Sequence, residues 1–316
     1  MNKIASSIVR YAFVEDLWII SCIYNSGSYQ SKNTNFDRFI KPIEAAGLNY
    51  LIVDCAFGTQ PFNLKKHDRI IRIRAPHVLW QKERLLNIAI ERLPTACKKV
   101  AWVDCDVLFK NPDWALETSE KLDYFKAVQP FKEAVRLPKQ DGPFSEEDPG
   151  DLCFAYKLVT EPRMVAEGRF PKHGHTGYAW AMQVDLLKTY GLYDACIAGS
   201  GDHVMAHAFA GGWETACVKK VFGNNTNHYE HYVNWAKKIH PHINSDMTYV
   251  DGALLHLWHG DLVDRKYTDR EKILQQFQFD PERDIELNTD RCWVWKGGNP
   301  ELQAWIEDYF VSRKED

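Results

Sequence analysis

The stretch Lys98-Lys-Val-Ala-Trp-Val-Asp-Cys-Asp-Val-Leu-Phe109 constrains this chain most. A run of apolar, β-favouring residues stops at two aspartates, Asp104 and Asp106, two positions apart. Along a strand, positions i and i+2 face the same side, so both carboxylates are expected to address one ligand where the chain leaves a sheet. Two like charges at the tip of a buried strand are costly unless a cation or hydrogen-bond donors neutralise them. A divalent metal holding a phosphate meets that need. A solvated acidic loop is the plainer alternative, so the surrounding stretches have to decide.

Those stretches alternate. Leu17 to Tyr24 reads as a buried strand ended by the turn-prone Asn25-Ser-Gly-Ser28. Phe36 to Ala46 reads as a helix with Gly47 as its C-terminal stop, although Pro42 should kink or restart it. Tyr50 to Cys55 is a second strand, Arg69 to Arg74 a third, and Leu79 to Arg92 a helix ending before Pro94. Val100 to Val103 is the strand that carries the aspartates. Strands alternating with helices predict βαβ units and a largely parallel sheet with ligands at the carboxyl ends of the strands. No glycine-rich dinucleotide fingerprint follows the first strand, which argues against an NAD site.

Beyond Phe109 the pattern loosens. Asn111 to Trp114 is a turn, Ala127 to Phe131 a short or edge strand, and Glu133 to Asp151 a polar loop with an acidic cluster at Glu146 to Asp148. Tyr178 to Met182 reads as a buried strand, Val184 to Tyr190 as a short helix, and Gly199 to His203 as a glycine-rich turn opening a helix through Phe209. Leu254 to Trp258 is another apolar strand, ending in His259-Gly-Asp261. The tail is helical. Thr268-Asp-Arg-Glu271 has the form of a capping box. Asn299-Pro300 supplies an N-cap and a first-turn proline for an amphipathic helix of Leu302, Trp305, Ile306, Tyr309 and Phe310. The expectation is one domain over 1–316, with a nucleotide half (1–110), an acceptor half (111–260) and a helical tail (261–316).

A chain of 316 residues, 45% hydrophobic and 26% charged, can bury a substantial core. The net charge of −4 gives no electrostatic footprint for nucleic acid. The aromatic share of 13% suits sugar rings as well as core packing. Eight cysteines are scattered without C-x-x-C spacing, so nothing argues for an oxidising compartment. Leu17 to Tyr24 is too short to span a membrane and follows Glu15-Asp16 instead of a basic segment. A cytoplasmic location is expected.

Four stretches, in order, resemble metal-dependent glycosyltransferases of the GT-A fold, closest to the β-1,4-galactosyltransferase and polypeptide N-acetylgalactosaminyltransferase type. Trp80-Gln-Lys-Glu-Arg-Leu-Leu-Asn87 is similar to that family's helix bordering the nucleotide. Lys82 is the basic residue the resemblance brings to the nucleotide, with Arg84 beside it and with Tyr24 and Asp54 at the strand ends. Val103-Asp-Cys-Asp-Val-Leu108 resembles the family's Asp-Val-Asp-Leu strand end. This implies that Asp106 ligates the metal while Asp104 meets ribose, a metal-bound water or the metal. Gly177 to Met182, Gly191-Leu192 and Gly199-Ser-Gly-Asp202 parallel the family's next elements, except that the family's consecutive acids are here a single one, Asp202. Asp202 becomes the candidate base by elimination. His256-Leu-Trp-His259-Gly sits where the family has Met-x-x-His, implying two further metal ligands. Positions i and i+3 diverge on a straight strand, so both reach one ion only if the chain bends, and Gly260 permits that. His173-Gly-His175 and His228 to His231 are other candidate ligand clusters.

The resemblance implies a GT-A (Rossmann-like) mixed, mostly parallel sheet flanked by helices, with a helical C-terminal tail. It implies an inverting transferase that moves a hexose or N-acetylhexosamine from a UDP-sugar to a hydroxyl acceptor, most naturally a carbohydrate. One carboxylate and two imidazoles suit Mn²⁺ better than Mg²⁺, the second option. Tyr178 and Trp180 are candidates for stacking on a sugar ring, with core packing as the alternative. Arg265 and Lys266 are within reach of a diphosphate or simply solvated. Two other classes remain open. One is a nucleotidyltransferase, for which Asn25 to Ser28 is a poor phosphate loop; the other is a non-catalytic sugar or nucleotide binder.

Overall fold

The computed structural model describes residues 14–139, 150–169 and 172–316; the acidic cluster Glu146 to Asp148 lies outside them. The first part of the chain is a series of parallel units: β1 (Leu17–Tyr24), α1 (Gln30–Ala45), β2 (Asn49–Phe57), β3 (Ile70–Ala75), α2 (Lys82–Arg92) and β4 (Lys99–Val103). The burial of β1, β2 and β4 is nearly continuous, as expected of strands covered on both faces. Helix α1 starts six residues earlier than its apolar pattern and runs through Pro42. Gly47, at φ +67°, ends the turn, and Leu48 N donates to Ile43 O at 3.1 Å, the left-handed close that glycine makes cheap.

The middle of the chain supplies β5 (Val107–Phe109), α3 (Trp114–Lys121), β6 (Ala127–Gln129), β7 (Glu133–Arg136), β8 (Asp151–Leu152), α4 (Phe154–Thr160) and α5 (Pro162–Glu167). It continues with β9 (Ala179–Gln183), α6 (Val184–Tyr190), α7 (Gly201–Phe209), α8 (Ala216–Phe222), α9 (Thr226–Ile243), β10 (Met247–Tyr249) and β11 (Ala253–His256). After a short 3₁₀ turn at Leu262–Arg265 come α10 (Tyr267–Gln276), α11 (Pro281–Asp284), β12 (Ile285–Leu287), β13 (Trp293–Trp295) and α12 (Pro300–Ser312).

Seven strands form the main sheet in the order β10-β6-β9-β4-β1-β2-β3. Strands β1 to β4 are mutually parallel, β9 runs antiparallel between β4 and β6, and β10 is parallel to β6. The expected mixed, mostly parallel sheet flanked by helices is therefore what the chain folds into. The segment Ala127 to Gln129 is an interior strand, not an edge. A second sheet, β5-β11-β7-β8, hangs from the end of β4. Its register sets His256 opposite Val107, and Leu257 N donates to Asp106 O at 2.8 Å.

The tail packs as its pattern predicts. Asn299 caps α12 by accepting from Leu302 N at 3.0 Å, and Leu302, Ile306, Tyr309 and Phe310 are buried against Leu79, Ile197 and Phe279. The capping box at Thr268 is not at the start of its helix: α10 begins at Tyr267, and Glu271 instead accepts from Ser200 Oγ at 2.7 Å. Among the described residues no helix is long and apolar enough to cross a membrane.

Candidate active site

A cavity of about 820 Å³ opens at the carboxyl ends of β1 and β4. The two aspartates are not on the strand itself. β4 stops at Val103, and Asp104 to Asp106 form the turn that crosses from the main sheet to β5. In that turn the carboxylates diverge instead of pointing in parallel. Asp104 Oδ1 is 2.6 Å from Lys82 Nζ, while Asp106 Oδ2 is 2.9 Å from His259 Nε2. Both still line the one cavity.

The Asp106 side is a convergence of three donors. His256 ends β11, the chain then bends, and Gly260 takes φ +90°. That bend brings His256 Nε2 and His259 Nε2 to 3.2 Å from each other, although they are three residues apart. Ligand atoms of Asp106, His256 and His259 all lie within 4.8 Å of one another. Asp106 Oδ1 is buried and accepts no hydrogen bond, a cost that a bound cation would remove. His259 Nδ1 faces Glu315 Oε1 at 3.3 Å, the carboxylate–histidine arrangement that orients a metal-binding imidazole. One carboxylate and two imidazoles with room for further oxygen ligands therefore fit a divalent metal. Burial alone would raise the Asp106 carboxyl. The charges and hydrogen bond of His259, with His256 and Arg265, win and hold it well below the usual range. Burial holds the His256 imidazole well below its ordinary value, against the pull of Asp106.

On the other side Lys82 is shared. Its Nζ is 2.6 Å from Asp104 Oδ1 and 2.7 Å from Asp202 Oδ2. Burial would depress the ammonium, but the two carboxylates outweigh it and raise Lys82 well above its ordinary value. Asp104 is pushed up to about 7, by burial first and then by Asp202 and Asp106, against the opposing charge of Lys82. Asp202 lies in the first turn of α7, and its Oδ2 is 3.2 Å from where a Cβ on Gly177 would sit. Tyr178 next to it holds φ +76°, unusual for a bulky residue. Its ring stacks on His175 with centroids 4.0 Å apart, and it lies 4.9 Å from His256. Tyr178 O accepts from Asp104 N at 2.7 Å, so this backbone conformation braces the aspartate turn.

Several candidates are elsewhere. Arg84 pairs with Asp194 at 2.9 Å and Glu91 at 3.2 Å, outside the cavity lining. Two residues on from Lys82 along a helix, it faces away. Asp54 is fully buried, accepting from Asn63 N, Asn63 Nδ2 and Leu64 N; it shapes a loop and does not reach the cavity. Tyr24 does line the cavity, edge-on to Trp80 at 5.9 Å. Trp180 is core, donating to Thr176 O at 2.8 Å. Arg265 reaches the cavity and sets Nη2 2.9 Å from His259 Nε2, whereas Lys266 turns to Ser312. Asp194 is occupied by Arg84 and Asn87. His228 is buried among Phe222, Phe279 and Tyr193, away from the cavity, so the His228 to His231 stretch does not gather ligands among the described residues.

Sequence reasoning missed residues that line or border the site. Glu83 is buried beside Lys82, accepts from Trp80 Nε1 at 3.0 Å, and is pushed up to about 8 by burial and then by Asp202. Gly201 makes room for it, since a Cβ there would meet Glu83 Oε1 at 2.3 Å. From the end of α12, Arg313 lines the cavity, and Glu315 joins Lys32 at 2.8 Å, Arg313 at 2.6 Å and His259. Nothing in the local pattern links residue 315 to residue 32, so only the docking of the tail reveals them.

No protein-family model matches the chain, and no curated protein matches it in sequence. Solved structures align loosely. The catalytic domain of Drosophila β1,4-galactosyltransferase 7, in complex with xylobiose, is 7% identical over 93% of this chain and 99% of that one, with a TM-score of 0.38. Mannosyl-3-phosphoglycerate synthase from Rubrobacter xylanophilus is 10% identical over 89% of this chain and 85% of that one, with a TM-score of 0.39. The 4-diphosphocytidyl-2C-methyl-D-erythritol synthase of Anaerococcus prevotii is 11% identical over 75% and 87%, with a TM-score of 0.36. At this level of similarity the reading of function has to come from the side chains of the site itself.

Proposed function

We propose that the chain is a nucleotide-sugar glycosyltransferase of the GT-A type. It moves a hexose or N-acetylhexosamine from a UDP-sugar to a hydroxyl acceptor with inversion, helped by Mn²⁺. The observation that carries this reading is the convergence of Asp106, His256 and His259 in the same cavity as Asp104, Lys82 and Asp202. Asp106, His256 and His259 would hold the ion, which when bound would neutralise charge developing on the leaving diphosphate. Lys82, Lys32, Arg265 and Arg313 add positive charge around the same space. Asp104 is the partner for ribose. Asp202 takes the proton of the acceptor hydroxyl as it attacks. A single base acting on the face opposite the leaving group gives one displacement and hence inversion, the geometric logic that also separates the two glycosidase classes.

The alternatives fit less well. A nucleotidyltransferase needs an open, cationic phosphate loop after β1. Here Asn25 closes that loop on itself, its Oδ1 accepting from Tyr29 N and its Nδ2 donating to Tyr29 O, both at 2.8 Å. A passive binder has no need of a carboxylate held against the cavity by Lys82. A panel of UDP- and GDP-sugars tests the reading through release of nucleoside diphosphate to water in the absence of acceptor. Mn²⁺-dependent release from at least one UDP-sugar is expected. Binding of UDP with no turnover of any donor would leave only a binding module.

A further inference from the structure

His173, one half of a His-Gly-His pair with no evident partner in the sequence, meets three residues distant from it along the chain. His203 and His207 occupy one face of α7 at i and i+4, the spacing that brings two side chains together on a helix. Cys217 comes from the first turn of α8. All four side chains are buried, and one ligand atom from each lies within 4.8 Å of every other. The three imidazole centroids are 4.8–5.1 Å apart, and Cys217 Sγ is 3.2 Å from His207 Nε2. A tetrahedral zinc with bonds of about 2.0–2.3 Å separates its ligands by roughly 3.3–3.7 Å, so small side-chain rotations close the set.

The surroundings already orient the ligands. His173 Nδ1 is 2.8 Å from the Gly174 carbonyl, which accepts its N–H hydrogen bond and leaves Nε2 as the ligand nitrogen. The Thr215 hydroxyl donates to Gly212 O at 2.8 Å, leaving its oxygen to accept from His207 Nδ1 at 3.4 Å. That selects Nε2, the nitrogen facing Cys217, as the ligand. Such fixed tautomers are the hallmark of outer-sphere support in metal sites.

We infer that His173, His203, His207 and Cys217 form a second, structural metal centre that binds zinc. Three imidazoles and a thiolate with no carboxylate select a borderline-soft ion over Mn²⁺, and four protein ligands close the coordination sphere. Binding replaces the Cys217 thiol proton, which leaves to solvent, with the metal bond. The centre ties the loop that carries His175 to Tyr178, one wall of the cavity, to the helix that carries Asp202, adjacent to His203. It stands independently of the transferase reading, because none of its ligands is assigned to the reaction.

The test is metal analysis of the full chain produced in zinc-supplemented medium and desalted, followed by replacement with Co²⁺. The wild type should retain one equivalent of zinc, and its cobalt form should show a thiolate-to-metal charge-transfer band with intense tetrahedral d–d bands. Asp106→Asn combined with His259→Ala should keep both signals; Cys217→Ser and His207→Gln should lose them. Should those two variants fail to fold, the cobalt spectrum of the wild type and of the Asp106 variant still decides. Absence of retained zinc, a weak octahedral spectrum lacking the thiolate band, or loss of zinc with Asp106 and His259 instead of with Cys217 would each overturn the inference.

Discussion

Asp202 Oδ2 and Lys82 Nζ lie 2.7 Å apart in one corner of the cavity, and the proposed base should separate from its partner by substitution. Asp202→Asn is expected to lower kcat by about 10²–10⁴-fold, the usual worth of a general base, while UDP affinity with Mn²⁺ is retained. Loss of donor binding, with the pH profile of residual turnover unchanged, would move Asp202 to the donor side. Glu315 Oε1 faces His259 Nδ1 at 3.3 Å, so on the proposed reading it would orient that imidazole toward the metal. Glu315→Gln should weaken Mn²⁺ affinity by about 10–100-fold, the range for partners of metal ligands, with a smaller change in kcat at saturating metal; unchanged affinity would make Glu315 purely structural. At this scale the sequence was readable where chemistry is local. Asp104, Asp106, His256, His259, Lys82 and Asp202 could be named from motif order, and all of them line one cavity. Arg84 and Asp54 lie outside that lining, since a motif does not say which face a helix residue takes, or that a buried carboxylate accepts from three loop donors.

Helix α12 is the element that completes the site. Its burial of Leu302, Ile306, Tyr309 and Phe310 fixes where Arg313 and Glu315 emerge. Removing its cap with Asn299→Ala should cost about 1 kcal/mol, read as a lower urea midpoint with unchanged slope; no change would mean that the fold, not the cap, sets the helix start. The helix was legible because its apolar stripe and its Asn-Pro start agree. Helix α9 was not. Its buried positions, His228, Tyr232, Ala236, Ile239 and Ile243, do follow helical spacing, but they mix histidine, tyrosine and alanine and end near Pro241. The short strands β5, β7, β8 and β10 were equally hidden, since two to four residues carry too little periodicity to separate from loop.

Over the whole molecule, burial of histidines makes stability depend on acid. His228 lies among Phe222, Phe279 and Tyr193, and burial pushes it down to about 3, with His231 adding to the shift. Its folded value is depressed, so it stays neutral while the unfolded chain takes up a proton below about 6.5. Stability is thus present above that pH and lost as the pH falls toward 3. Between pH 6.5 and 5 the loss from this one residue should be about 2 kcal/mol, seen in urea unfolding of the wild type and reduced in His228→Gln. An equal acid loss in both proteins would assign the effect to other groups. The parallel part of the main sheet was legible from continuous apolar runs in β1, β2 and β4. The antiparallel insertion of β9 beside β4 was not, because pairing partners as distant as Lys99 and Gln183 leave no local trace.

On the proposed reading, Asp106 anchors a metal-dependent donor site. Calorimetric titration of UDP into the wild type and Asp106→Asn, each with and without Mn²⁺, reads this out. Mn²⁺ should strengthen UDP binding to the wild type, and Asp106→Asn should remove this enhancement while the protein stays folded by circular dichroism. Metal-enhanced UDP binding of equal strength in both proteins would contradict it.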